Sequence, residues 1–195
     1  MVDMTPPAAS SIEARERLLT AAQSLYAENG VAATTPREVL ERSHVGQGSL
    51  YHHFPSKAQL ARAAVERTSS EQLTVAAGVL GSDTAPADRI RAYLLRERDA
   101  VSGCRVGRLT ADRLVMSTPD LQEPVAAYFT GLLTLAHEAF REAGLDTVRA
   151  RERAAAVVAI VQGGYVLARA TGDAGIMRDA VRGMVALLET AARDE

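Results

Sequence analysis

Apolar residues recur at three- and four-residue spacing along most of the chain, the period of half-buried helices. Leu18, Ala21, Ala22, Leu25 and Tyr26 mark a first helix, and Leu121, Val125, Phe129, Leu132, Ala136 and Phe140 mark a longer one. Local stop and start signals divide the stripes. Ser10 with Glu13 is expected to open the first helix and Gly30 to close it. Thr35, Pro36 and Glu38 form a capping box with proline at the first helical position. A turn at Ser43-His44-Val45-Gly46 leads to a short helix, Gln47 to Phe54, with Leu50 and Phe54 one turn apart on one face. Pro55 ends it, and Ser56 with Gln59 starts a helix from Lys57 to about Gly78. The cluster at 81–86 breaks that helix. Another follows around Ile90 and Leu94, then a short one from Val106 to Met116. A long helix is expected from Pro119 to Ala143, one capped by Asp146, and a last one from Ile176 to Ala192. The pattern predicts an all-α protein of about nine helices.

Residues 34–57 are the most informative stretch. Two short helices joined by a turn of about four residues form a helix-turn-helix, whose second helix enters the DNA major groove. Residues opening that helix face base edges: here Gln47, Gly48 and Ser49. Glutamine can hold adenine N6 and N7 together, serine can pair with either partner, and glycine lets the backbone approach closely.

The run Ser49-Leu50-Tyr51-His52-His53-Phe54-Pro55-Ser56-Lys57, preceded by Arg37 and followed by Leu60, resembles the DNA-binding domain of the TetR/AcrR family of bacterial regulators. The resemblance spans roughly residues 12–66. It implies base reading by Arg37, Gln47 and Gly48, and phosphate contacts from Thr35, Tyr51, His53 and Lys57. It also implies a DNA-binding domain at 10–56 and a helical ligand-binding and dimerisation domain at 57–195. Two departures stand out. His44 occupies a turn position where the family has glycine, and Gly46 stands where a serine or threonine caps the reading helix. Farther on, Gly103–Leu109 (GCRVGRL) and Ala170–Asp173 (ATGD) resemble the LmrA/YxaF branch.

Composition narrows the picture. The chain has 195 residues, 47% hydrophobic but only 4% aromatic with no tryptophan, so alanine, valine and leucine must fill the core. Net charge is −2, and residues 11–67 hold seven basic and six acidic groups, so a DNA footprint depends on placement, not on bulk charge. Lys57 is the only lysine. The arm at 1–9 carries no Arg or Lys and is expected to be disordered. Cys104, the single cysteine, cannot form an internal disulfide; with no signal peptide and no apolar run of 18 residues, the expectation is a cytoplasmic protein away from membranes. The histidines and the cysteine show no metal spacing, and nucleophile and phosphate-loop motifs are missing. A small helical enzyme is disfavoured, and no cofactor is expected.

The segment Ala154–Ala170 is apolar all round, so it must be covered on two faces. Val161, Gly164 and Ala168, with Val181, Met184 and Leu188 of the last helix, are candidates for a four-helix homodimer seam; closure of the monomer core is the alternative. The resemblance puts Tyr93, Met116, Tyr128, Phe129, Gln162 and Tyr165 on helices that line an effector cavity, although core packing or the dimer seam is the readier explanation for each aromatic taken singly. The expected function is a dimeric repressor released from a double-stranded operator by a small molecule. An effector-independent DNA-binding protein of the same fold is the alternative.

Overall fold

The computed structural model describes residues 7–191, with side chains from Ser11 onward. The expectation of a disordered arm therefore falls, but for its last three residues, outside the described residues. Among the described residues the chain forms nine α-helices and one short 3₁₀ turn: α1 Pro7–Asn29, α2 Pro36–Ser43, α3 Gln47–His53, α4 Lys57–Leu80, α5 Pro86–Leu95, the 3₁₀ turn Gly107–Ala111, α6 Arg113–Ser117, α7 Pro119–Glu142, α8 Thr147–Thr171 and α9 Gly175–Ala191.

Local chemistry explains most boundaries. Thr35 Oγ1 accepts from the Glu38 amide at 3.3 Å while the Glu38 carboxylate accepts from the Thr35 amide at 2.6 Å, completing the capping box. Asp146 caps α8 by accepting from the amides of Val148 and Arg149, both at 2.9 Å. Gly172 closes the same helix at φ 71°, where a side chain would strain the backbone. Three boundaries differ from the sequence expectation. α1 begins at Pro7, so Ser10 lies inside it, and Pro7, Ala8 and Ala9 of the expected arm are helical. α4 runs on to Leu80. The helix expected over 106–116 is two pieces, because the Asp112 carboxylate accepts from the amides of Leu114 and Val115 and restarts the chain as α6.

The chain divides into two compact units, Met1–Ser70 with Arg108–Val125 and Glu71–Gly107 with Ala126–Glu195. In the first unit α1 packs on α2 and α3. Leu18, Ala22 and Leu25 of α1 are buried, as are Val39 of α2, Leu50 of α3 and Leu60 and Ala64 of α4. Each fully buried leucine stabilises the unit by roughly 1.5–3 kcal/mol. The segment from the 3₁₀ turn to α6 is fastened to the end of α1. Arg108 donates to the carbonyls of Ala27 and Glu28, and Asp112 Oδ2 accepts from the amides of Val31 at 2.7 Å and Ala32 at 3.1 Å.

In the second unit α8 packs along α9, and α5 also meets α9. The α8–α9 contact is close because Gly164 has no side chain: a Cβ there would come within 2.4 Å of Met177 Sδ. Val161, Gly164, Ala168 and Val181 are all buried inside this single chain. Length and composition alone would let α8 cross a bilayer, against the sequence reading of no such stretch. In the fold its apolar circumference is divided instead, one side lying on α9 and the other carrying the exposed Val166 and Leu167.

Candidate nucleic-acid interface

α3 is held by its inner side. Leu50 is 2% exposed and Phe54, which ends the helix, 4%. The opposite side presents Gln47, Gly48 and Tyr51, all exposed, with Ser49 and His53 half-buried at its margins. Gly46 is the N-cap and supplies no side-chain hydrogen bond, so the first amides of α3 remain open. A Cβ at Gly46 or at Gly48 would meet nothing within 4 Å. The protein's own packing therefore does not require either glycine.

The turn before α3 is reached through a left-handed residue. His44 has φ 54°, a left-handed value that glycine adopts freely and that costs a side chain, histidine less than most. Arg17 of α1 compensates by donating to the carbonyls of Ser43 at 2.5 Å and His44 at 3.0 Å, at the end of α2. No local signal in the sequence ties Arg17 to a turn 26 residues away. Replacing His44 with glycine is expected to stabilise the protein by about 0.5–1 kcal/mol. Chemical denaturation checks this, and an unchanged or lower midpoint would mean the histidine is not strained there.

The other sequence-predicted residues surround this edge. Arg37 extends into solvent and pairs with Glu41 one turn on at 2.8 Å. Thr35 lends its hydroxyl to the capping box, which leaves less of it for an outside partner. Lys57 Nζ donates to the Ala32 carbonyl at 3.3 Å, so the ammonium stands beside the loop before α2. His53 Nε2 lies 3.5 Å from Ser11 Oγ of α1. Arg42 is paired with Glu28, whose carboxyl that contact holds below its ordinary range. Glu38 is held low too, first by the Thr35 backbone amide and then by its hydroxyl. Glu28, Glu38 and Glu41 are thus engaged within the reading unit, and α3 itself carries no acid. An exposed helix side with amide and hydroxyl donors, free of carboxylates and flanked by Lys57 and Arg37, suits a polyanion.

The candidate effector residues divide. Tyr93, Tyr128, Gln162 and Tyr165 share the second unit with Cys104: Gln162 Nε2 lies 3.7 Å from Cys104 Sγ, and burial pushes all three phenols above the ordinary tyrosine value. Phe129 stands edge-on to Tyr128, ring centroids 4.9 Å apart. Met116 belongs to the first unit and is 38% exposed. Of the seam candidates, Met184 and Leu188 are half-buried; the other four are already covered within the chain. A separate cavity of about 380 Å³ lies between α5, α7 and α9, lined by Ile90, Leu94, Phe140 and Leu188 among others, and none of the six effector candidates reaches it.

Comparison with known proteins agrees with this geometry. Residues 18–64 match the family model for bacterial regulatory proteins of the tetR family, and residues 86–183 match that for the LmrA/YxaF-like C-terminal domain of transcriptional regulators. The HTH-type transcriptional regulator LmrA of Bacillus subtilis is 30% identical over 162 residues, 80% of this chain and 86% of that protein. The HTH-type transcriptional repressor KstR2 of Rhodococcus jostii is 43% identical over 61 residues, 29% of this chain and 30% of its own. In fold, a TetR transcriptional regulator from Chloroflexus aurantiacus superposes with a TM-score of 0.80 at 24% identity, over 93% of this chain and 96% of that one. E. coli NemR in its reduced form gives 0.76 at 22%, over 88% and 94%. An exposed reading helix in an all-helical frame, matched by family over both its N-terminal and C-terminal parts, makes this chain a member of the TetR family: a DNA-binding transcriptional regulator with an LmrA/YxaF-like C-terminal domain, not an enzyme.

Proposed function

We propose that the chain acts as a homodimeric repressor that leaves its operator when a small molecule binds the second unit. The observation that carries the reading is α3, anchored by Leu50 and Phe54 and free on the side of Gln47, Gly48 and Tyr51. In this reading Gln47, Gly48, Ser49 and Arg37 meet base edges, while Thr35, Tyr51, His53 and Lys57 hold the phosphates. The functional division falls at 56/57, where α4 begins. α4 passes from one compact unit into the other and is the element through which ligand and DNA would bias each other's populations. The LmrA relationship supports the operator role, and a cytoplasmic location follows from that role.

Two reading heads on one duplex need a two-fold partner. The proposed seam lies on the outward sides of α8 and α9. Val166 is 67% exposed, Leu167 51% and Leu187 70%, and a Cβ at Gly163 or Gly183 would meet nothing within 4 Å. A second copy laid on these sides would cover the leucines and use the glycines for close approach, with Met184 at the margin. Leu187→Glu is expected to give a folded monomer by light scattering, with operator binding weaker by about 10²-fold or more as the second head is lost. A Leu187→Glu protein that remains dimeric would move the seam elsewhere.

Selection of genomic fragments on the purified protein, followed by footprinting, tests the operator role. Lys57→Ala should weaken specific and random DNA alike and lower the salt slope by about 1. Gln47→Ala should relax preference at one base position per half-site, by roughly 1–3 kcal/mol. Equal effects of both changes on specific and random DNA would remove the distinction between reader and anchor.

A further inference from the structure

Among the described residues of the second unit, no carboxylate forms an ion pair with Arg96 or Arg98. Arg96 and Arg98 follow α5, and each has a buried Nε with no hydrogen-bond acceptor. Both guanidinium groups lie over the ring of Tyr93, their central carbons 5.8 Å and 5.2 Å from its centroid. Arg98 is half used: it donates to the carbonyls of Tyr93, Leu94 and Arg96, closing the end of α5. The Tyr165 hydroxyl stands near Arg96, whose charge favours the phenolate. The two acids beside them in sequence give no neutralising partner. Glu97 and Asp99 are exposed, and Asp99 accepts from the Ser102 amide instead. Arg89 of the same unit also has a buried Nε without an acceptor, but its guanidinium is paired with the Glu142 carboxylate, and that acid is what sets it apart.

Two like charges held together and partly desolvated, without a counter-ion, destabilise a fold. The charge of Arg98 is disfavoured first by burial and next by Arg96, and only phenols act in the other direction. A bound anion would relieve both charges and accept from both vacant Nε–H groups. Tyr93 lies under both guanidinium groups, and Tyr128 and Tyr165 stand within electrostatic reach of it and of Arg96, so phenol rings are at hand to cover a planar organic body, with the Gln162 amide beside Cys104. Resting on the ligand-responsive reading above, we infer that the effector is an organic carboxylate, held by Arg96 and by Arg98 Nε with its body among these tyrosines.

The test uses the full-length protein with benzoate as a charged probe and benzamide as its neutral counterpart, each up to about 10 mM. Thermal shift and tyrosine fluorescence should report benzoate and not benzamide. Arg96→Met should weaken benzoate roughly ten-fold or more. The same variant should melt no lower than the wild type without ligand, since it removes an uncompensated charge; a purely structural arginine would give a lower melting temperature. Arg98→Lys, which keeps the charge and removes the Nε donor, should weaken benzoate less. No benzoate binding, equal binding of benzamide, or undiminished binding by Arg96→Met overturns the inference. The two readings separate in an operator assay. Arg96-dependent benzoate binding without release of DNA leaves the anion site standing and removes the response. Release by a neutral ligand, unaffected by Arg96→Met, does the reverse.

Discussion

Asp112→Ala should lower stability by about 2–4 kcal/mol, the largest loss expected from a single surface-facing side chain in this chain. One carboxylate accepts four amides, Val31 and Ala32 through Oδ2 and Leu114 and Val115 through Oδ1. Removing the cap of α6 costs about 1 kcal/mol by itself. The Val31 amide is the more serious loss, since Val31 is fully buried and an unsatisfied buried donor costs about 1–3 kcal/mol. Asp112→Asn keeps an acceptor at one oxygen and should recover roughly half of the stability. Thermal melting reads the difference, at about 2–4 °C per kcal/mol for a chain of this size. An Asp112→Ala protein melting within about 1 °C of the wild type would mean that water replaces the carboxylate at both ends. Because the amides lie just after α1 and before α2, the same change should loosen the approach to the reading unit.

Gly48 should show the opposite combination: substitutions that stabilise the protein and damage its function. With open space around a Cβ and an ordinary helical backbone, Gly48→Ala removes the helix penalty of glycine, a gain of about 0.5–1 kcal/mol. If α3 approaches base edges as proposed, the added carbon stands where DNA must be. Operator affinity is then expected to fall about ten-fold for alanine and about a hundred-fold for leucine, which is roughly 1.4 and 2.7 kcal/mol. Denaturation and operator titration on the same preparations measure both quantities. Variants that are more stable and bind the operator as tightly as the wild type would place the contact on another side of α3.

The reading unit was legible because its signals are local. Thr35 and Glu38 are three residues apart and answer each other directly, and Leu50 with Phe54 reports the inner side of α3 by spacing alone. The Glu13 signal misplaced the start of α1, since proline at position 7 competes as an opening residue and short-range preferences do not choose between them. The single helix expected over 106–116 failed for a related reason. An aspartate inside an apolar pattern reads as a solvated position, and only its two amide partners near Val31, some 80 residues away, show why the chain restarts there.

The apolar segment of α8 makes the clearest division between the two sources of order. That this helix needs cover on two sides follows from composition, because water meets an unbroken run of alanine, valine and isoleucine unfavourably whatever the fold. Which side receives which neighbour does not follow. Gly163 and Gly164 are adjacent and chemically identical, yet Met177 of α9 fills the space beside one, and no described residue comes within 4 Å of a Cβ at the other. Sequence by itself determined most of the helices, the family and which residue types stand on α3, all of which are read from patterns a few residues long. Tertiary structure alone decided that Val161, Ala168 and Val181 are internal, that Arg17 closes a turn, and that no described acid pairs with Arg96 or Arg98. Each of those depends on which surfaces come together across long stretches of chain, and periodicity states how much surface must be buried without saying against what.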